Sequence, residues 1–273
     1  MKKYLTFLCI SLFVLFNVFI SLGQNFEKFS NKEGFNQNTI NTIEQDKHGF
    51  LWFGTPNGLI KYDGYEFETF TAQSNTNGAI SSNNLTSLHN DSNGVLWIGT
   101  NVGMNVYIPW LERFYTVPLN SKLEVSHIIS SPNGAVWFSC ENKLFYCKLK
   151  NAEKGVFTVS ENLLTNSSNV LTIKNFSFID ENELILATNA GVKKIELKHD
   201  KITNAIKVQL ILNFDKFENT NIEVIKKLKN VFWIGTEKGL FKTTIVDNNI
   251  LVVKVIVHIF GQVQEYKIKT GNC

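Results

Sequence analysis

Arginine is all but missing from this chain. Lysine and arginine together number 27, yet Arg113 is the only arginine. Arginine makes the two-bonded contacts that read guanine edges and clamp phosphates, so its absence argues against sequence-specific nucleic-acid recognition. Cysteine is scarce as well, with Cys9, Cys140, Cys147 and Cys273 the whole set. Without Cys9 an odd number remains, which no fully paired disulfide framework accommodates. Cys140 and Cys147 fall on two strands of one expected hairpin. A three-residue turn there pairs Cys140 with Leu144, so a bridge to Cys147 needs distortion, and a role as small buried apolar residues is favoured. No H-E-x-x-H, G-x-S-x-G or P-loop pattern occurs, so zincin, nucleophile-elbow and nucleotide-cradling chemistry lose their usual signatures. His48, His89, His127, His199 and His258 are scattered, with no metal-ligand spacing to cysteine. No metal, cofactor or catalytic residue is therefore expected.

Long hydrophobic runs are missing too, except at the start. Lys2 and Lys3 precede an apolar stretch over residues 4–22, and small residues lie around Gly23. This is the charged, apolar and small-residue order of a secretory signal, so residues 1–23 are read as a signal peptide cleaved after Gly23. An uncleaved anchor is the alternative, because the run approaches bilayer-spanning length. No membrane span is expected after cleavage, and the mature chain is expected to be periplasmic or otherwise exported.

What is present is a repeat. Leu51-Trp52-Phe53-Gly54-Thr55 leads to Gly58-Leu59, and Leu96-Trp97-Ile98-Gly99-Thr100 leads to Gly103-Met104. Phe232-Trp233-Ile234-Gly235-Thr236 leads to Gly239-Leu240. Two weaker copies stand between them, at Val136-Trp137-Phe138-Ser139-Cys140 and Leu184-Ile185-Leu186-Ala187-Thr188. Upstream of each strong early copy a short β-rich segment ends in a turn, Asp46-Lys47-His48-Gly49 or Asp91-Ser92-Asn93-Gly94, and resumes as a strand. A third strand follows at 59–62, 104–107 and 144–147, and a fourth at 67–70 and 113–117. Four antiparallel strands per 40 to 48 residues is the bookkeeping of a β-propeller blade. Trp52, Trp97, Trp137 and Trp233 are expected to fill the space between neighbouring blades. Gly54, Gly99 and Gly235 are expected to let backbones approach, and Gly58, Gly103 and Gly239 to serve tight turns. The fold class is thus all-β, a propeller of four-stranded antiparallel blades spanning 24–260 with five visible repeats, followed by a tail at 261–273. Residues 250–260 are expected to complete the outer strand of the fifth blade.

The pattern I-x-x-I-x-x-D-x-x-G-x-L-W-[FI]-G-T-x-x-G-L resembles the two-component regulator propeller repeat. That repeat is found in the periplasmic sensor region of Bacteroidetes-type hybrid two-component systems. The resemblance covers residues 24–245 and is strongest in blades one, two and five. Even the lead-in at 26–30 is similar to the family's N-terminal strand, which pairs with a later blade. The resemblance implies a ligand-sensing module for a glycan-derived small molecule, with homodimerisation, and no enzyme activity in a chain without kinase or response-regulator domains. Seven blades of about 42 residues need about 290 residues, and 24–273 supplies 250. The chain is therefore expected to be a fragment with an incomplete ring, unable to signal alone. A short propeller of five or six blades is the alternative.

Within that frame few residues point to chemistry. Asp46 and Asp91 recur in one turn and are expected to accept bonds from their own backbone. Glu44, Asp46, Glu66 and Glu68 are the carboxylates that could supply a pair for sugar hydrolysis, which needs a set separation. Trp110 lies outside the repeat beside Arg113. The two are the ligand-binding candidates, with a partly buried turn aromatic as the competing reading. An exported polysaccharide enzyme and a protein-interaction scaffold remain the alternative functions. The first requires converging carboxylates or histidines at one mouth of the ring, the second an apolar rim around Trp110.

Overall fold

The computed structural model describes residues 35, 37–73, 78–119, 122–140, 143–163, 172–199, 206–214, 217–246 and 249–255. The chain divides into Met1–Asn36 and Gln37–Cys273. All five sheets lie in the second unit, and of the first only Phe35 is described. The expected signal peptide, the lead-in strand at 26–30 and the tail at 261–273 fall outside the described residues.

Among the described residues, twenty strands form five four-stranded antiparallel sheets, each a simple meander in chain order. The first sheet is β1 (Thr42–Gln45), β2 (Leu51–Thr55), β3 (Gly58–Tyr62) and β4 (Phe67–Phe70). The second is β5 (Leu85–Asn90), β6 (Leu96–Thr100), β7 (Gly103–Ile108) and β8 (Arg113–Thr116), with a 3-10 turn at Pro109–Leu111. The third is β9 (His127–Ser130), β10 (Val136–Cys140), β11 (Lys143–Asn151) and β12 (Val156–Leu163). The fourth is β13 (Ile173–Phe178), β14 (Glu183–Thr188), β15 (Gly191–His199) and β16 (Ile206–Asn213). The fifth is β17 (Ile222–Leu228), β18 (Val231–Thr236), β19 (Gly239–Val246) and β20 (Asn249–Val255). The first strands β1, β5, β9, β13 and β17 lie successively against one another, so each sheet turns its inner edge to a common axis and its faces to its neighbours. This is the blade arrangement of a β-propeller.

The repeated hexapeptide explains the packing by alternation. Successive residues of a strand point to opposite faces, so Trp97 faces the third sheet while Leu96 and Ile98 face the first. Four buried apolar clusters follow, one at each junction between successive sheets. Trp52 packs with Leu85, Leu88, Leu96, Ile98, Tyr107 and Phe114. Trp97 packs with Val125, Ile128, Val136, Phe138 and Phe145. Trp137 meets Phe176, Phe178, Leu184 and Leu186. Ile185 meets Ile222, Ile225, Phe232 and Ile234. Burying one such aromatic contributes several kcal/mol at about 25 cal/mol per Å². Gly54 and Gly99 sit where strands close in. A Cβ on Gly54 meets Leu85 Cβ of the next sheet at 3.2 Å, and one on Gly99 meets Val125 at 2.9 Å.

Two polar devices recur with the tryptophan. Asp46 Oδ1 accepts the His48 and Phe50 N–H groups, and its Oδ2 accepts the Trp52 indole N–H at 2.9 Å. Asp91 does the same for Asn93, Val95 and Trp97. The expected turn role therefore holds, and each carboxylate also anchors the core tryptophan of its own blade. In the third sheet Ser131 replaces the aspartate and bonds within the turn. The threonine that ends the second strand in four of the five sheets closes the next turn. Thr55, Thr100, Thr188 and Thr236 donate to the carbonyls of Gly58, Gly103, Gly191 and Gly239.

The cysteine hairpin needs a correction. Cys140 pairs with Lys143 and Ser139 with Leu144, because the turn has two residues rather than three. Cys147 stands opposite Val136. Cys140 and Cys147 are both buried and are not bridged to each other, and burial pushes Cys147 up to about 12. Of the strand expected at 250–260, residues 250–255 belong to β20, which pairs with β19 as the outer strand of the fifth sheet, and 256–260 fall outside the described residues.

Candidate functional site

One mouth of the central channel gathers side chains from all five sheets. A cavity of about 440 Å³ is lined there by Asn41, Asn84, Thr86, Glu124, Ser126, Lys174 and Glu223. Four of these hold the same place in the repeat. Asn41, Thr86, Ser126 and Lys174 stand eleven residues before Trp52, Trp97, Trp137 and Ile185 respectively. Glu223 lies one residue beyond the corresponding place, in a strand whose register shifts between Ile222 and Val224. Equal spacing puts these positions at one level around the axis, where they escape the packing demands that make the rest of the repeat uniform.

Bonds across the sheet junctions fix the mouth. Asn41 Nδ2 donates to the Leu85 carbonyl at 2.7 Å, and Thr86 Oγ1 donates to the Val125 carbonyl at 2.6 Å. Lys174 Nζ and Glu223 Oε1 form an ion pair at 2.7 Å between the fourth and fifth sheets, and Asn221 also donates to Glu223.

Further along the axis a second level stands opposite the core residues of β2, β6, β10, β14 and β18. Glu44 pairs in register with Trp52, His89 with Trp97, and Lys226 with Trp233. The Asn90 N–H donates to Glu44 Oε1 at 2.9 Å. His89 Nε2 lies 2.7 Å from Ser130 Oγ, and its Nδ1 lies 3.9 Å from Glu44. His127 Nδ1 is 3.2 Å from Asn175 Nδ2, and Asn175 Oδ1 accepts the Ile225 N–H. Burial lowers His89 to about 4, with the Lys226 charge adding to it and Asp91 opposing. Burial, His89 and Lys226 together lower His127 to about 4. Burial raises Glu44 above its usual value against the Asn90 N–H and Lys226. Both imidazoles are thus neutral near pH 7, and the contact with Glu44 is not an ion pair.

Two histidines that look scattered in the sequence therefore both lie on first strands, each bonded to a polar side chain of the next sheet. The signal that could have found His89 is the repeat itself, since Glu44 and His89 occupy equivalent first-strand positions. His48 is exposed on its turn, as expected. Among the described residues no group of His, Cys, Asp and Glu could hold a metal ion. Glu66 and Glu68 lie at the outer edge of the first sheet, away from Glu44.

Trp110 and Arg113 lie on and just after the turn that joins β7 to β8. Trp110 is 55% exposed on the turn after β7. It borders a cavity of about 350 Å³ between the second and third sheets, with Val95, Trp97, Val136, Cys147 and Leu149 among its walls. Arg113 does not line that cavity; it pairs with Ile108 at the outer edge of the second sheet.

Residues 34–57 and 79–102 match the family described as the two component regulator propeller. Histidine kinase P4 of Formosa agariphila is 39% identical over 56 residues, which is 20% of this chain and 4% of that kinase. The extracellular domain of a hybrid two component system from B. thetaiotaomicron superposes with a TM-score of 0.56 at 22% identity, covering 85% of this chain and 37% of that domain. Virginiamycin B lyase from Staphylococcus aureus shares the fold with a TM-score of 0.57 at 15% identity, covering 82% of this chain and 74% of the lyase. The chain thus spans a small part of the kinase and about a third of the extracellular domain. Among the described residues no helix is long and apolar enough to cross a membrane.

Proposed function

We propose that this chain is the ligand-sensing propeller of an exported two-component receptor, taking a small glycan-derived molecule at the five-sheet mouth. The observation that carries the reading is the convergence there of a polar side chain from each of the five sheets, four at the same repeat place and Glu223 one residue beyond it. A ligand seated at that level touches five blades at once. It can therefore favour one arrangement of the blades over another, which is what a sensor requires. The family repeats at 34–57 and 79–102 and the likeness to an extracellular receptor domain support the assignment. Homodimerisation belongs to the same reading and is checked by sedimentation of the purified chain.

The test is calorimetric titration of the purified chain with a panel of oligosaccharides and monosaccharides. Binding by the unaltered chain that is lost in Thr86→Val and Ser126→Val supports the mouth as the sensing site. Binding indifferent to both substitutions removes the site. Steady turnover of the bound sugar removes the sensor reading in favour of an enzyme.

A further inference from the structure

Charge, rather than the count of donors, distinguishes the groups left free at the mouth. The Thr86 hydroxyl proton goes to the Val125 carbonyl and one Asn41 amide proton to Leu85, while the Lys174 ammonium is paired with the Glu223 carboxylate. Thr86 Oγ1 keeps only lone pairs once its proton is committed. Glu124 is a carboxylate, an acceptor without a donor of its own, and it has no hydrogen-bond or ion-pair partner among the described residues. The side chains of Asn84 and Ser126 are likewise without partners among the described residues. The charge balance points the same way. Mouth and channel set Glu44, Glu124 and Glu223 against Lys174 and Lys226, with His89 and His127 neutral. The lysine at the mouth is already held by a carboxylate.

We infer that the mouth selects a ligand bearing a primary ammonium group, seated on Glu124 with Ser126 and Asn84 completing its hydrogen bonds. This rests on the mouth being the ligand site and names the ligand class it prefers. A carboxylated or sulfated sugar meets Glu124 as a like charge and finds in the mouth lining only Lys174, already paired with Glu223, whereas an ammonium group gains a charge-assisted bond. Neutral sugars fall between the two.

Titration calorimetry with glucosamine, glucose and glucuronate as matched probes tests this on the whole chain. Glucosamine is expected to bind at least tenfold more tightly than glucose, with glucuronate weakest. Glu124→Gln keeps the shape and removes the charge at an exposed position, so the fold is preserved, and it is expected to abolish that preference. Rising salt is expected to weaken glucosamine binding in the unaltered chain and not in Glu124→Gln. Glucosamine binding that survives Glu124→Gln unchanged, or failure of glucosamine to bind, overturns the inference. Tighter binding of glucose or glucuronate, lost in Ser126→Val, also overturns it while leaving the mouth as a ligand site. Binding of any probe that ignores both substitutions overturns the site itself.

Discussion

Leu85 and Ile40 hold the same place in successive repeats, and so do Leu88 and Ile43. Leu85 and Leu88 are 0% and 6% exposed, whereas Ile40 and Ile43 are 40% and 55% exposed. The difference is position in the stack: the second sheet receives Trp52 on that face, while the same face of the first sheet meets no described sheet. The other end shows the mirror case. Trp52, Trp97, Trp137 and Ile185 are buried against a following sheet, while Trp233 is half-buried and belongs to none of the four clusters. A repeat sequence thus writes the same apolar residue everywhere, and stacking decides whether it contributes to stability.

The largest effect that sharpens this contrast comes from acid, which acts on the channel between the fully covered sheets. His89 and His127 have folded values of about 4, below the ordinary 6.5. The unfolded chain therefore takes up protons first as pH falls from 6.5 to 4, and stability is lost across that window, by up to about 3 kcal/mol per histidine. Glu44 works in the opposite sense and offsets part of the loss, since its raised folded value favours protonation in the folded chain. Urea midpoints measured from pH 7 to pH 4 are expected to fall, and the double variant His89→Gln, His127→Asn is expected to flatten the curve.

Next in size is the tryptophan contrast. Trp97→Ala is expected to cost about 3–5 kcal/mol, and Trp233→Ala about 1 kcal/mol. Equal losses in chemical denaturation would show that the fifth sheet is covered after all. The opposite faces give a smaller difference: Leu85→Ala is expected to cost about 2–4 kcal/mol and Ile40→Ala less than about 1 kcal/mol. Smallest is the turn carboxylate. Asp91→Ala strips two turn N–H groups and the Trp97 indole of their acceptor, for about 2 kcal/mol. Near-ultraviolet dichroism of the indole reports the loss, and the same change at Asp46 should match it because Trp52 is equally buried.

Much of the blade was legible in the sequence because its constraints are local. The Trp52 type of position, the turn glycines and the Asp46 and Asp91 turns each follow from strand alternation or turn chemistry within a dozen residues. The indole bonds to Asp46 and Asp91 also lie within one repeat but were not foreseen, since nothing in a turn signal says where the second carboxylate oxygen points. The Cys140 register slipped by one residue because a two-residue and a three-residue turn look alike in Cys140-Glu141-Asn142-Lys143. The mouth was not found at all. Asn41, Thr86, Ser126, Lys174 and Glu223 share no residue type, and a search for a repeated identity passes over a position whose repeated property is location.

By itself, then, the sequence determined the unit: four antiparallel strands, an apolar residue aimed at the next sheet, and turns closed by their own Asp, Thr and Gly. Those outcomes are settled by forces acting over one blade. Only the tertiary structure decided which copies of the apolar residue are buried, and that Glu44 meets His89 and His127 meets Asn175. Such meetings join residues more than 40 positions apart through the packing of whole sheets, and no local preference of the chain encodes which polar groups will share a channel.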